Sequence, residues 1–356
     1  GGTLTPEDYD ADLRIIRTMG ANALRSAVMP HAQYLYDRCD EQGMLVWIDA
    51  PLHRSSFLGD VSYFATPAFE QNGLDQLQEI VAQNINHPSV VMWGIFSRLW
   101  MRGDDVTPYI RRLNETQPVE LAATFMGAHA LPEEYRERRE DYIRLLCREM
   151  IPCAAREGLA EFCDVFCEAD TFTVEESRQV LEAGLKYGLR PKIHADEIEA
   201  IGGSQLAGEI GAISAEHLIV CPPEGIASMA RGGVIACLLP ATSFNLGAVF
   251  APARDMVKAG VPVAMATDFN PGSCPCLNMQ FVINLGCLKY KLTPEEVLTA
   301  VTLNGAAAID LADKVGSVEE GKLGDLVIWD APDLDYICYR VGSNLAKTVI
   351  KRGEIV

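Results

Sequence analysis

The sequence predicts an α/β fold, a (βα)8 barrel of TIM type, and two observations predict it. Between Pro191 and Ser273, short apolar runs alternate with helix-like segments at the spacing of successive βα units, which is how a parallel sheet is written in a sequence. In the same stretch, polar clusters sit where the apolar runs stop: Lys192-Ile193-His194-Ala195-Asp196-Glu197, Glu216-His217-Leu218 and Ala264-Met265-Ala266-Thr267-Asp268-Phe269-Asn270-Pro271-Gly272-Ser273. Strand C-termini of such a barrel face one mouth, so His194, His217 and Asp268 are expected to meet there. Imidazole and carboxylate groups converging at a mouth are the beginnings of a zinc site. A chain of 356 residues suits one barrel with a small appendage better than two equal domains.

Taken in order, Thr5-Pro6-Glu7-Asp8 supplies an N-cap, a proline at the first helical position and acids in the first turn of a helix over Tyr9 to Met19. Gly20 ends it. Asn22 to Val28 reads as a strand, His31 to Gln42 as a helix stopped by Gly43, and Met44 to Ile48 as an apolar strand closing on Asp49-Ala50-Pro51. Phe69 to Ile85 repeats apolar residues at helical spacing, Asn86-His87-Pro88-Ser89 turns into a strand over Val90 to Phe96, and Val106 to Asn114 is a further helix. Six more strands are expected over Leu121 to Met126, Phe162 to Phe166, Pro191 to Ala195, His217 to Val220, Val234 to Leu239 and Val261 to Ala266. With the three earlier ones, these exceed the eight places of a barrel by one. Thr293-Pro294-Glu295-Glu296 then caps a helix through Ala300, and Asn304 to Leu311 forms another. The strands Asp325 to Trp329 and Lys347 to Lys351 make a small C-terminal β appendage whose edges invite self-association into a homo-oligomer.

Acidic residues outnumber basic ones 49 to 30, a formal charge of -19. Such a surface repels phosphate backbones and anionic lipid, so neither nucleic acid nor a membrane surface is expected as a partner, and a small-molecule substrate is. The eleven cysteines lack a disulfide-scaffold pattern, no apolar run reaches transmembrane length, and no signal sequence opens the chain; the expectation is a cytoplasmic protein.

Four ordered blocks after residue 115 carry a resemblance: Gln117-Pro118-Val119, Phe125-Met126-Gly127-Ala128-His129-Ala130, His194-Ala195-Asp196-Glu197 and Thr267-Asp268-Phe269-Asn270-Pro271-Gly272-Ser273. In these, the chain resembles imidazolonepropionase, a metal-dependent amidohydrolase of histidine degradation. The resemblance implies zinc or iron held by a His-x-His pair on the first strand, a histidine on the fifth, here His194, and an aspartate on the eighth, here Asp268. It implies His217 polarising the scissile carbonyl, Glu197 holding the ring and assisting proton transfer, and Asp268 beside them as a catalytic residue. His129, Glu197, Asn270, Gly272 and Ser273 are then the substrate-binding residues. The implied reaction opens 4-imidazolone-5-propanoate to N-formimidoyl-glutamate. The His-x-His pair is absent, because among His31, His53, His87, His129, His194 and His217 no two lie two apart.

The first third resembles a different family. Met19-Gly20-Ala21-Asn22-Ala23-Leu24-Arg25, Cys39-Asp40-Glu41-Gln42-Gly43-Met44-Leu45-Val46-Trp47 and Asn86-His87-Pro88-Ser89-Val90-Val91-Met92-Trp93-Gly94 are similar to the catalytic barrel of glycoside hydrolase family 2. That family's Asn-Glu after the fourth strand is Ser97-Arg98 here, and glycoside cleavage needs two carboxylates. The chain therefore reads as a chimera: 1-114 a glycoside-hydrolase-2-like half barrel serving as scaffold, 115-324 the imidazolonepropionase-like barrel portion, and 325-356 the remnant of an amidohydrolase β-sandwich. A catalytically silent barrel scaffold is the alternative to a hydrolase of impaired activity, and a family 2 glycosidase the second alternative. Plainer readings hold for the other groups: His53 as a loop residue, Cys274 and Cys276 as loop packing, Cys163 and Cys167 as core, and Glu133 to Glu140 with Glu175-Glu176 as solvated helix faces.

Overall fold

The structure is a computed structural model describing residues 4–27, 30–50, 67–84, 86–94, 121–270 and 272–355. The chain divides into two compact units, Gly1–Gln117 and Pro118–Val356.

In the first unit, Thr5 caps helix Pro6–Thr18 through a reciprocal capping box with Asp8, as Thr-Pro-Glu-Asp predicts. Strands β1 (Ala23–Ser26), β2 (Leu45–Asp49) and β3 (Val90–Gly94) form a parallel sheet in that order. Helix Gln33–Gln42 starts two residues later than expected and ends on Gly43 in the left-handed region. Leu13, Tyr36, Cys39, Val46 and Ile48 fill the core. Two polar arrangements fix the strand ends. Arg25 lies over the Trp47 ring at 4.0 Å and pairs with the buried Asp49 carboxylate at 2.9 Å. Asp40 accepts from His87 Nδ1 at 2.6 Å and from the Ser89 amide at 2.8 Å, so the Asn-His-Pro-Ser turn is tied to the second helix. The expected helix over Val106 to Asn114, together with His53, Ser97 and Arg98, lies outside the described residues.

In the second unit, β4 (Thr124–Ala128), β5 (Phe162–Cys167), β6 (Arg190–Ala195), β7 (Ser214–His217), β8 (Ile235–Leu238) and β9 (Val263–Met265) form one parallel sheet in chain order. The three and six expected strands thus all exist, in separate sheets. One boundary is corrected: His217 ends its strand instead of starting it. His217 and Leu218 have φ of 70° and 55°, which a continuing strand cannot accommodate.

Residues alternate across this sheet. A Cβ on Gly203 would stand 2.6 Å from Ala195 Cβ and one on Gly184 2.7 Å from Cys163 Cβ, so those strand residues face the helix layer. Asp164, Lys192 and His194, one residue out of phase, face the other way. There the Lys192 ammonium donates to Ser214 Oγ at 2.6 Å and pairs with Glu216 at 3.1 Å, which lets a cation be buried. Helix Val174–Lys186 starts with a Thr173–Glu176 capping box. Glu176 also accepts from Arg139 at 2.7 Å, so it is an anchor and not only a solvated face, whereas Glu133 and Glu134 lie exposed in a short 3₁₀ turn.

At the C-terminal end, β10 (Leu326–Trp329), β11 (Ala346–Lys351) and β12 (Glu354–Ile355) form an antiparallel sheet with β11 in the middle. Both edges of β11 are therefore paired, and only β10 and β12 offer an edge. Among the described residues no helix is long and apolar enough to cross a membrane, and all eleven cysteines are unpaired.

Candidate active site

Four of the expected residues stand at the C-terminal ends of the second unit's strands. His129 follows β4, His194 belongs to β6, Glu197 follows β6 by two residues, and His217 closes β7. The rings of His129 and His194 meet edge-on with centroids 4.6 Å apart, and those of His194 and His217 lie 5.1 Å apart. Phe166 stacks on His129 at 6.0 Å and walls the cluster on one side.

The residue that joins them was not singled out in the sequence. Asp164, in the middle of β5 and 3% exposed, accepts from His194 Nδ1 at 3.1 Å and stands 3.5 Å from His129 Nε2. Burial raises the Asp164 pKa, but the His194 charge and the two imidazoles that face it outweigh this and hold the carboxyl well below the usual range. Burial correspondingly lowers the His194 pKa, and the Asp164 carboxylate more than reverses this, lifting it to about 9. His217 has no such partner. Burial, reinforced by the neighbouring His194 charge, depresses its pKa to about 3, so its ring is neutral. Glu197 Oε1 lies 3.5 Å from His217 Nδ1, outside hydrogen-bond geometry, and that nitrogen is buried without a partner. Burial chiefly raises the Glu197 pKa, with His194 opposing it.

A second carboxylate places Glu197. Glu168, buried just beyond β5, accepts the amide protons of Glu197, Ile198 and Glu199 at 2.8 to 2.9 Å. It fixes the loop after β6 as a carboxylate caps a helix N-terminus. The only sequence signal for Asp164 and Glu168 was charge within a strongly apolar strand region, which the cysteines around them obscured.

Asp268 and the residues after it are held by bonds to one another and to Thr242. The Asp268 carboxylate accepts from Thr242 Oγ1 at 2.5 Å; burial raises its pKa, while Thr242 and His194 oppose that. Asn270 Oδ1 accepts from the amides of Gly272 and Ser273 at 2.9 and 2.7 Å, and its Nδ2 donates to the Asp268 carbonyl at 2.8 Å. These polar groups largely satisfy one another in a closed turn. Cys274 is buried with Sγ 3.1 Å from the Thr267 carbonyl, consistent with packing.

Of the two ligands implied by resemblance, His194 and Asp268 act on each other's charge across the mouth. Among the described residues Asp268 joins no group of three ligand atoms within 4.8 Å of one another, whereas His129, Asp164 and His194 do. Backbone strain collects around the same mouth, with Asp196, His217, Leu218 and Asp268 all at φ between 51° and 70°. Positions of this kind cost about 1–3 kcal/mol each and persist where surrounding structure holds a working geometry.

A parallel sheet with histidines and carboxylates at its strand C-termini places the chain in the class of TIM-barrel-like α/β proteins. The chain belongs to the amidohydrolase family, whose profile matches residues 168–356. The profile of glycosyl hydrolases family 2, TIM barrel domain, matches residues 1–150. Imidazolonepropionase of Alkaliphilus metalliredigens (strain QYMF) is 54% identical over 248 residues, 69% of this chain and 59% of that protein. Imidazolonepropionase of Shouchella clausii (strain KSM-K16) is 52% identical over 246 residues, 69% of this chain and 55% of that protein. The chain thus spans somewhat more than half the length of these relatives. An adenosine deaminase from Xanthomonas campestris, solved with bound zinc, superposes with a TM-score of 0.57 at 18% identity, covering 82% of this chain and 70% of that one. That likeness is one of fold, a TIM-barrel-like α/β architecture.

Proposed function

We propose that the chain is an imidazolonepropionase-like amidohydrolase of weakened activity that hydrolyses a cyclic amide, 4-imidazolone-5-propanoate, to N-formimidoyl-glutamate. The reading is carried by one observation: a neutral, buried His217 with an unpartnered Nδ1, Glu197 3.5 Å away, beside His194 at a strained strand mouth. A neutral imidazole can donate one N–H to a carbonyl oxygen and so stabilise the charge that develops there. Glu197, its carboxyl made more basic chiefly by burial, takes a proton from the attacking water and delivers it to the ring nitrogen. Water adds at the ring carbonyl carbon, the carbon–nitrogen bond breaks, the carbon becomes the new carboxylate, and the nitrogen leaves within the formimidoyl group. A zinc or iron ion, when bound, would supply a water of lowered pKa.

The weakening follows from the missing His-x-His pair. In this reading the chain joins two barrel fragments, residues 1–114 acting as scaffold, and β10 to β12 are the remnant of an amidohydrolase β-sandwich. Asn270, Gly272 and Ser273 remain the residues for substrate polar groups, provided their turn opens. The test is ring opening followed by ultraviolet absorbance, with binding of a non-hydrolysable imidazolone analogue measured by calorimetry. Slow turnover, lost in His217→Gln while the analogue still binds, is expected. Absence of both turnover and binding would leave the chain a silent scaffold.

A further inference from the structure

The histidines of this mouth sit in an arrangement that neither the hydrolytic reading nor the inherited ligand pattern uses. His129 Nε2 is buried and has no aligned hydrogen-bond partner, which costs free energy unless something else satisfies it. It points toward Asp164, which already receives His194. The spacings are 3.5 Å from His129 Nε2 to Asp164 Oδ1, and 3.1 and 3.0 Å from His194 Nδ1 to the two Asp164 oxygens. Two ligand atoms about 2.0–2.1 Å from one tetrahedral ion lie about 3.3–3.4 Å apart. The two histidine–carboxylate distances bracket that value, and all three ligand atoms lie within 4.8 Å of one another. The donor set, two imidazoles and one carboxylate, is that of a zinc site with an open position; Asp164 and His194 lie on adjacent strands and His129 one residue beyond a third, and strands hold ligands more accurately than loops do.

We infer that His129, Asp164 and His194 form a relocated divalent-metal site that takes Zn2+ in place of the one whose His-x-His pair this chain lacks, with Asp268 outside it. Of the inherited ligands only His194 is kept. His129, expected to touch substrate, becomes a ligand, and Asp164 supplies the carboxylate. Asp268, with its oxygen engaged by Thr242, is a neighbour. The inference rests on the family reading for the choice of zinc and on the geometry for the ligands.

The test uses the purified full chain loaded with Zn2+ and desalted, and separately titrated with Co2+, whose visible ligand-field bands are strong only in four-coordinate sites. About one Zn2+ per chain is expected, with a Zn2+-dependent rise in melting temperature. Asp164→Asn and His129→Gln should each weaken binding by no less than the ~10–100-fold that loss of a mere outer-shell partner costs, and Asp164→Glu should restore part of it. Asp268→Asn should leave the affinity and the Co2+ spectrum unchanged. Far-UV circular dichroism establishes that each variant is folded; should Asp164→Asn not fold, His129→Gln and His194→Gln decide. Loss of metal in folded Asp268→Asn overturns the assignment whatever the other variants do, as does a wild-type chain that retains no metal. The hydrolase reading is judged separately, because analogue binding and ring opening are measured without reference to which residues hold the ion.

Discussion

His217 and His194 are neighbouring imidazoles on adjacent strands with opposite fates, and the difference lies in a single carboxylate. Asp164 faces His194 and keeps it charged; His217 has only a distant Glu197 and stays neutral with a pKa of about 3. The consequence for stability has a definite sign. Below the unfolded value of about 6.5 the unfolded chain protonates this histidine and the folded chain does not, so folding loses about 1.4 kcal/mol per pH unit as pH falls toward about 3. Urea midpoints of the metal-free protein between pH 4 and 7 should therefore fall less steeply on acidification in His217→Gln than in the wild type. An identical slope would mean that the ring is protonated in the folded state.

Among the elements, the two helices that follow β6 and β7 pack with unusual closeness. Gly203–Ile210 and Pro223–Gly232 approach so that a Cβ on Gly208 would meet the Ser228 backbone, and one on Gly232 the Gly208 backbone. Alanine at Gly208 gains about 1 kcal/mol of helix propensity. It also drives a methyl into backbone that has no flexible end to yield, an overpacking cost of about 1–3 kcal/mol. The clash should win, because relieving it separates both helices from the strands that carry His194 and His217. Gly208→Ala is expected to lower the unfolding free energy by about 1–2 kcal/mol, read from chemical denaturation; a stabilised variant would show that the helices can part freely.

For the whole molecule the dominant fact is a charge of -19. Surface ion pairs such as Arg144–Asp141 and Lys258–Asp255 contribute near zero to about 1 kcal/mol each and weaken in salt. The surplus of acids repels itself over the whole surface, and that repulsion is also screened once the Debye length falls to about 10 Å or less. Repulsion should prevail. Raising sodium chloride from about 0.02 to 0.3 M is expected to raise the melting temperature, by about 2–4 °C for each kcal/mol relieved. A falling melting temperature would put the ion pairs first.

The sequence by itself determined the alternation of strands and helices, the capped starts at Thr5 and Thr293, and the polar clusters that close the strands. These depend on local periodicity and on backbone groups a few residues apart. It also carried the positions of His129, His194, Glu197 and His217, since strand ends are local features. Asp164 and Glu168 were not legible, because a carboxylate inside an apolar strand is distinguished only by what lies across from it on the next strand. Nor were the bonds that tie Asn270 to Asp268, Gly272 and Ser273. The nine strands divided into sheets of three and six for the same reason: strand pairing is a contact between distant segments, and only the tertiary structure brings those segments together to show which carboxylate meets which histidine.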